Sequence, residues 1–217
     1  MDSQQLVAKV IVIAIILLVC FPVHEASHAY AAYRLGDGTA KLFGRLTLNP
    51  IAHFDPVGGL MLVISFIAAP FGFGWAKPTP VNPLNLSNRQ WGEAIVAAAG
   101  PLSNLVLAAI GGLAMRAAIA FQIDVPILYQ ILFYFVLINL ALMIFNFIPI
   151  PPLDGSKVLY AALDPRTAYQ VRPMLDQYGI FLLLILIIPI GPGGSFLARI
   201  FDAFIGPLYS FLTGVPL

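Results

Sequence analysis

Long apolar runs, separated by short polar or proline- and glycine-rich segments, set the pattern of the chain. The run Leu6–Val23 is near the minimum length for crossing a hydrocarbon core of about 30 Å. The helix it predicts continues to about Tyr33, because Gly36-Asp37-Gly38 is the first clear stop. Residues 36–56 are mixed and polar, with turn signals at Thr47–Pro50 and His53–Pro56. Val57–Pro70 is apolar but short, and it leads into Phe71-Gly72-Phe73-Gly74-Trp75. Lys77–Asn88, rich in proline and asparagine, reads as a loop or hairpin. Ala94–Phe121 predicts a long span whose Ala97, Ala98, Ala99, Gly100, Gly111 and Gly112 suit close helix packing. Ile127–Ile148 predicts the next span, broken by Pro149-Ile150-Pro151-Pro152 and followed by Leu153-Asp154-Gly155. A polar stretch to Gln177 then precedes the apolar segment Gly179–Ile190, and a mixed segment with Arg199 and Asp202 closes the chain.

The pattern predicts an all-α polytopic membrane protein. It carries about 4–6 membrane helices, with a short re-entrant or β-hairpin element after the first. Composition agrees: of 217 residues, 60% are hydrophobic and only 10% charged, against about 25% charged in soluble domains. The net charge of +1 gives no support for nucleic-acid binding. The single cysteine, Cys20, excludes an internal disulfide framework and a multi-cysteine metal site. A cleaved signal peptide is not expected: Asp2 and two glutamines precede Lys9, and the apolar run exceeds the usual h-region. Ser27-His28-Ala29 loosely resembles a cleavage site, and cleavage there would discard His24-Glu25-Ala26-Ser27-His28. The expected organisation is one membrane-embedded domain over 1–217, with a core at 6–160 and C-terminal helices at 176–217 in a gating or interfacial role.

His24-Glu25-Ala26-Ser27-His28 stands at the inner end of the first run. Imidazoles four residues apart on a helix point the same way, about 6 Å apart along the axis. That geometry suits one Zn²⁺ per chain, with Glu25 placed to act on water at the metal. A catalytic zinc usually has three protein ligands and one open position, so a third is required. Cys20 shares the helix face, His53 is near in sequence, and Glu93 opens a helix. Asp154 follows the prolines that unwind a span, where an ionisable residue is a functional candidate by default.

Together, His24–His28 and Asn146-Phe147-Ile148-Pro149-Ile150-Pro151-Pro152-Leu153-Asp154-Gly155 resemble the signatures of the site-2 protease family of intramembrane zinc metalloproteases. Gly100-Pro101-Leu102-Ser103-Asn104 resembles a further core-helix element of that family, and Phe71–Gly74 its glycine-bearing re-entrant hairpin. The resemblance covers about Leu6 to Gly155. It implies that His24, His28 and Asp154 bind zinc, that Glu25 is the general base, and that Asn146 holds the substrate carbonyl or its oxyanion. Gly72, Gly74, His53, Asn104 and Pro149 are expected at substrate or gating positions, although Asn104 and Asn139 also suit interhelical hydrogen bonding. The implied partners are the lipid bilayer and either single-span membrane proteins or signal-peptide remnants. A transporter or metal-uptake protein with an intramembrane His/Asp site, and a non-cleaving pseudoprotease, are the alternatives.

Depth gives a separate argument. If His28 and Asp154 share a metal, both lie near one face, and residues 36 and 92 are both on that side. The stretch 57–75 must then enter and return, as a short glycine-rich element does. Arg34, Lys41, Arg45, Lys77, Arg89, Lys157, Arg166 and Arg172, most of the 11 basic residues, fall on the same side. By the positive-inside rule that side is cytoplasmic, and the N-terminus is outside. A multi-pass protein of a bacterial- or archaeal-type cell membrane is expected, with its active site toward the cytoplasm.

Overall fold

The computed structural model describes residues 3–68, 74–88, 90–189 and 194–217. Among these, five helices are long and apolar enough to cross a membrane, and no strand occurs. The chain is therefore an all-α, multi-pass integral membrane protein.

The first span is one rod in three parts: α1 (Ser3–Ile15), a π-helical turn (Ile16–Cys20) and α2 (Phe21–Arg34). The π turn has a local cause. Pro22 has no N–H, and the Phe21 N–H bonds the Ile16 carbonyl five residues back. Short helices α3 (Thr39–Leu42) and α4 (Pro50–His53) follow.

Helix α5 (Pro56–Ala68) starts where Asp55 Oδ1 accepts from the N–H groups of Val57 (2.9 Å) and Gly58 (2.8 Å). Its 13 residues rise about 20 Å, too little to cross. The Lys77 N–H bonds the His53 carbonyl at 2.8 Å, so the excursion between them ends at the level where it began. The return limb lies on α5. A Cβ at Gly74 would sit 2.6 Å from both the Gly58 carbonyl oxygen and Leu62 Cβ. The entering limb is thus helical rather than the strand of a β-hairpin, and Gly72 lies outside the described residues.

Two long helices form the centre, α6 (Gly92–Ala120) and α7 (Pro126–Phe147). A Cβ at Gly111 would meet Phe135 Cδ1 at 2.7 Å, so the small residues let α7 approach the backbone of α6. The chain then turns through α8 (Gly155–Ala162) into α9 (Pro165–Ile187) and α10 (Phe196–Thr213). The polar stretch before Gln177 belongs to α9. Asp164 caps it by accepting from Arg166 and Thr167 N–H at 3.1 Å, with Pro165 in the first turn. This cap joins what the hydropathy pattern separates.

The two C-terminal helices differ in setting. Ile205 and Tyr209 of α10 enter the main apolar cluster with Ala108, Val136 and Leu140. Arg116 of α6 donates to the terminal carbonyls of α10 at Leu212 (2.8 Å) and Phe211 (2.5 Å). In α9 only Gly179 is buried, packed so closely that a Cβ there would clash with the Pro151 carbonyl.

Asp37, fully buried, ties the first span to the loop ahead of α6. Its carboxylate accepts from Asn82 N–H (2.7 Å), Asn85 Nδ2 (2.9 Å), Thr39 N–H (3.1 Å) and Thr39 Oγ1 (2.5 Å). Burial pushes its pKa up, but these donors outweigh it and hold the carboxyl below its ordinary value. A depressed carboxylate stabilises the fold above its unfolded pKa of about 4 and loses that contribution as pH falls through the folded value. Asp37→Ala is expected to destabilise the protein by about 1–3 kcal/mol at neutral pH. The gap in melting temperature between wild type and variant should shrink from pH 5 to pH 3, and a constant gap would remove the charge from this role.

Candidate metal centre and active site

Helices α2, α6 and the α7–α8 break build the site. His24 and His28 face the same way from α2, with ring centroids 4.6 Å apart and planes at 83°. Both are buried. Each ring is oriented through Nδ1: His28 Nδ1 lies 2.7 Å from the Val96 carbonyl, and His24 Nδ1 lies 2.7 Å from Asn104 Oδ1. A carbonyl oxygen only accepts, so His28 Nδ1 carries the proton and Nε2 presents a lone pair.

The Nε2 atoms of His24 and His28 lie 3.3 and 3.2 Å from Asp154 Oδ2. With both rings neutral, two ring nitrogens and a carboxylate oxygen all accept, an arrangement that a cation between them would satisfy. Tetrahedral coordination with bonds of about 2.0–2.1 Å spaces ligand atoms by about 3.3 Å; the donor set fits zinc.

Asp154 arrives through the break after α7. Ile150, Pro151 and Pro152 turn the chain, Leu153 N–H bonds the Ile150 carbonyl at 3.0 Å, and α8 begins at Gly155. Gly155 permits this turn, since a Cβ would lie 2.5 Å from the Ile148 carbonyl oxygen. On α6, Gly100 leaves room for the cluster: a Cβ there would collide with His28 Nε2 and lie 2.6 Å from His24 Nε2.

Glu25 is half-buried, with a carboxylate oxygen within 4.8 Å of ring nitrogens of both histidines. Thr79, from the loop returning after α5, grips it twice. The Thr79 N–H donates to Glu25 Oε2 at 2.8 Å, and its hydroxyl donates to the Glu25 carbonyl at 3.0 Å. No sequence signal singled out Thr79, because a main-chain donor leaves no mark on residue type.

Of the four candidates for a third ligand, Asp154 alone joins the cluster. Cys20 is fully buried and hydrogen-bonded to Asn139. Glu93 pairs with Arg172 at 3.1 Å. His53 is buried apart from the cluster, with Nε2 donating to the Thr47 carbonyl at 2.7 Å. Asn104 departs from its expected substrate or gating position. It is fully buried beneath His24, with its amide nitrogen 2.9 Å from Asn139 Oδ1, so neither end is available to a substrate. Asn146 donates to the Leu142 carbonyl at 2.9 Å, one turn back on α7. Pro149 is exposed at the end of that helix. On the other side of the Asp154 loop an open cavity of about 320 Å³ is lined by Pro151, Pro152, Lys157, Tyr160, Arg172 and Ile180.

Comparison with known proteins gives a concordant result. The profile of peptidase family M50 matches residues 118–186, which include the second motif. The chain is 36% identical over 216 residues to YwhC of Bacillus subtilis, named as a candidate zinc metalloprotease, spanning 90% of this chain and 93% of that protein. It is 31% identical to the Rip2 proteins of Mycolicibacterium smegmatis (76% of this chain, 62% of that protein) and Mycobacterium tuberculosis (79% and 65%), named in the same way. No solved structure matches the chain.

Gly100→Ala is expected to lower zinc affinity at least about tenfold, a loss of the size seen when a ligand's surroundings are disturbed, while helix content is unchanged. Competition with a chelating dye measures it. Wild-type affinity in that variant would show that the imidazoles do not depend on this clearance.

Proposed function

The chain belongs to peptidase family M50, the site-2 protease family, and on that premise we propose that this zinc metalloprotease cleaves transmembrane segments of other membrane proteins within the bilayer. The observation that carries the reading is the meeting of His24, His28 and Asp154 within 3.3 Å inside a bundle of apolar helices, with Glu25 alongside. The zinc ligands are His24, His28 and Asp154, and the chain acts as a single membrane-embedded unit over 1–217 whose core, 6–160, carries the chemistry.

Bound zinc supplies Lewis acidity, making water nucleophilic near neutral pH and polarising the scissile carbonyl. Glu25 takes the proton from the attacking water and passes it to the leaving amine. Thr79 holds the Glu25 carboxylate in one orientation and leaves its other oxygen free for that exchange. Asn146 donates to the developing oxyanion after its side chain leaves the Leu142 carbonyl, an interaction commonly worth about 3–4 kcal/mol. A substrate helix must unwind before its carbonyl can react, because helical carbonyls are engaged in backbone hydrogen bonds. Unwound main chain would find pairing partners along the return limb near Gly74 and at the break near Pro149. Substrates are single-span membrane proteins or signal-peptide remnants.

Glu25→Gln is expected to retain zinc while cleavage of a model transmembrane peptide in detergent falls at least about a hundredfold. Asp154→Ala should lose the metal, and phenanthroline should abolish wild-type cleavage. Turnover by metal-loaded Glu25→Gln at the wild-type rate would exclude Glu25 as the base.

Arg116, near the end of α6 remote from the site, bonds the last carbonyls of α10, so the C-terminus lies on the side opposite the site. With the basic loops inside, reporter fusions should place residues 40–50 in the cytoplasm and both termini outside. A cytoplasmic C-terminus would overturn that orientation.

A further inference from the structure

Three hydrogen bonds in series join His24 to a main-chain carbonyl on another helix. Asn139 Nδ2 donates to the Phe135 carbonyl at 2.8 Å, Asn104 Nδ2 donates to Asn139 Oδ1 at 2.9 Å, and Asn104 Oδ1 lies 2.7 Å from His24 Nδ1. Asn104 and Asn139 have no exposed surface, and His24 is only 8% exposed.

A carboxamide presents a donor at one end and an acceptor at the other, and a neutral imidazole has two tautomers. The partners must therefore settle each orientation, and here they do so in order. The Phe135 carbonyl can only accept, so Asn139 turns its NH₂ toward it and its oxygen toward Asn104. Asn104 then turns its own NH₂ toward Asn139 and its oxygen toward His24. His24 Nδ1 must carry the proton, and its Nε2 lone pair faces Asp154. Reversing one member would set two donors or two acceptors against each other in a buried place, which is costly.

We propose that Asn139 is a positioning residue for the metal: it transmits the polarity of the Phe135 carbonyl through Asn104 and fixes the ligating tautomer of His24. The inference rests on the reading of His24 as a zinc ligand. Asn139 touches neither metal nor substrate. His28 reaches its carbonyl at Val96 without an intermediary, so it serves as an internal reference that Asn139 does not influence.

The test uses the full-length protein in detergent with ¹⁵N-labelled histidine, comparing wild type with Asn139→Leu and Asn139→Asp. In Asn139→Leu, Asn104 is free to turn over. Zinc affinity, read by dye competition, should fall about tenfold to a hundredfold. In the zinc-free protein the His24 ring nitrogens should lose their single Nδ1–H signature while His28 keeps it. In Asn139→Asp a carboxylate oxygen still accepts from Asn104, so zinc affinity should stay near wild type. If Asn139→Leu fails to fold, Asn139→Ala, which cannot overfill the site, should give the same readings. A folded Leu or Ala variant with wild-type zinc affinity and an unchanged His24 signature would overturn the proposal. Equal losses in the Leu and Asp variants would also overturn it, since polarity would not then be what Asn139 conveys. A wild-type protein whose His24 signal does not respond to zinc would instead sink the ligand assignment itself.

Discussion

The structure depends on one electrostatic constraint: two imidazole lone pairs and a carboxylate brought together in an apolar bundle. Each is an acceptor, and the distances of 3.2 and 3.3 Å leave no room for separate solvation. Such a cluster is costly in a low-dielectric setting until a cation occupies its centre. Much of the surrounding structure can be understood as holding these groups against that cost. Gly100 supplies clearance, the proline break delivers Asp154, and two carbonyls lock the rings from behind.

The locking is asymmetric. His28 takes its partner directly from the main chain of α6, at Val96. His24 lies opposite the α6–α7 interface and reaches a carbonyl only through two asparagines. Both routes end on a backbone oxygen, which cannot change its polarity. A metal site in a membrane has little water to repair a wrong tautomer, so anchoring on main-chain carbonyls is a durable solution.

The base is held differently from the ligands. Glu25 is gripped by a loop rather than a helix, and that loop follows the limb returning from α5. Glu25 is therefore tied to an irregular segment, while the rings of His24 and His28 are tied to helices α6 and α7. The division separates a loop contact at Glu25 from the helix-anchored rings of His24 and His28. The Asp37 carboxylate, bonded to Asn82 and Asn85, fixes the far end of the same loop.

How much was legible in the sequence follows from which interactions leave a mark on residue type. The fold class was legible because apolar runs of bilayer length admit few alternatives. The centre was legible because i, i+4 histidines and an aspartate after a broken span are unusual among apolar residues. The spacing alone places Glu25 beside the histidines. Other features belonged to the tertiary structure. Asn104, for which gating and interhelical hydrogen bonding are both open in the sequence, is a buried support, since only packing decides which way an amide faces. The polar first half of α9 joined its apolar half through a cap at Asp164, which hydropathy alone does not register. Thr79, Val96 and Phe135 act through N–H or carbonyl groups that every residue but proline carries in full, so composition could not reveal them. The amino-acid sequence by itself determined the helices and the chemistry of the ligands, because both reside in side-chain type. Only the tertiary structure decided how each ring is aimed and how Glu25 is held, because those depend on backbone groups brought together from distant parts of the chain.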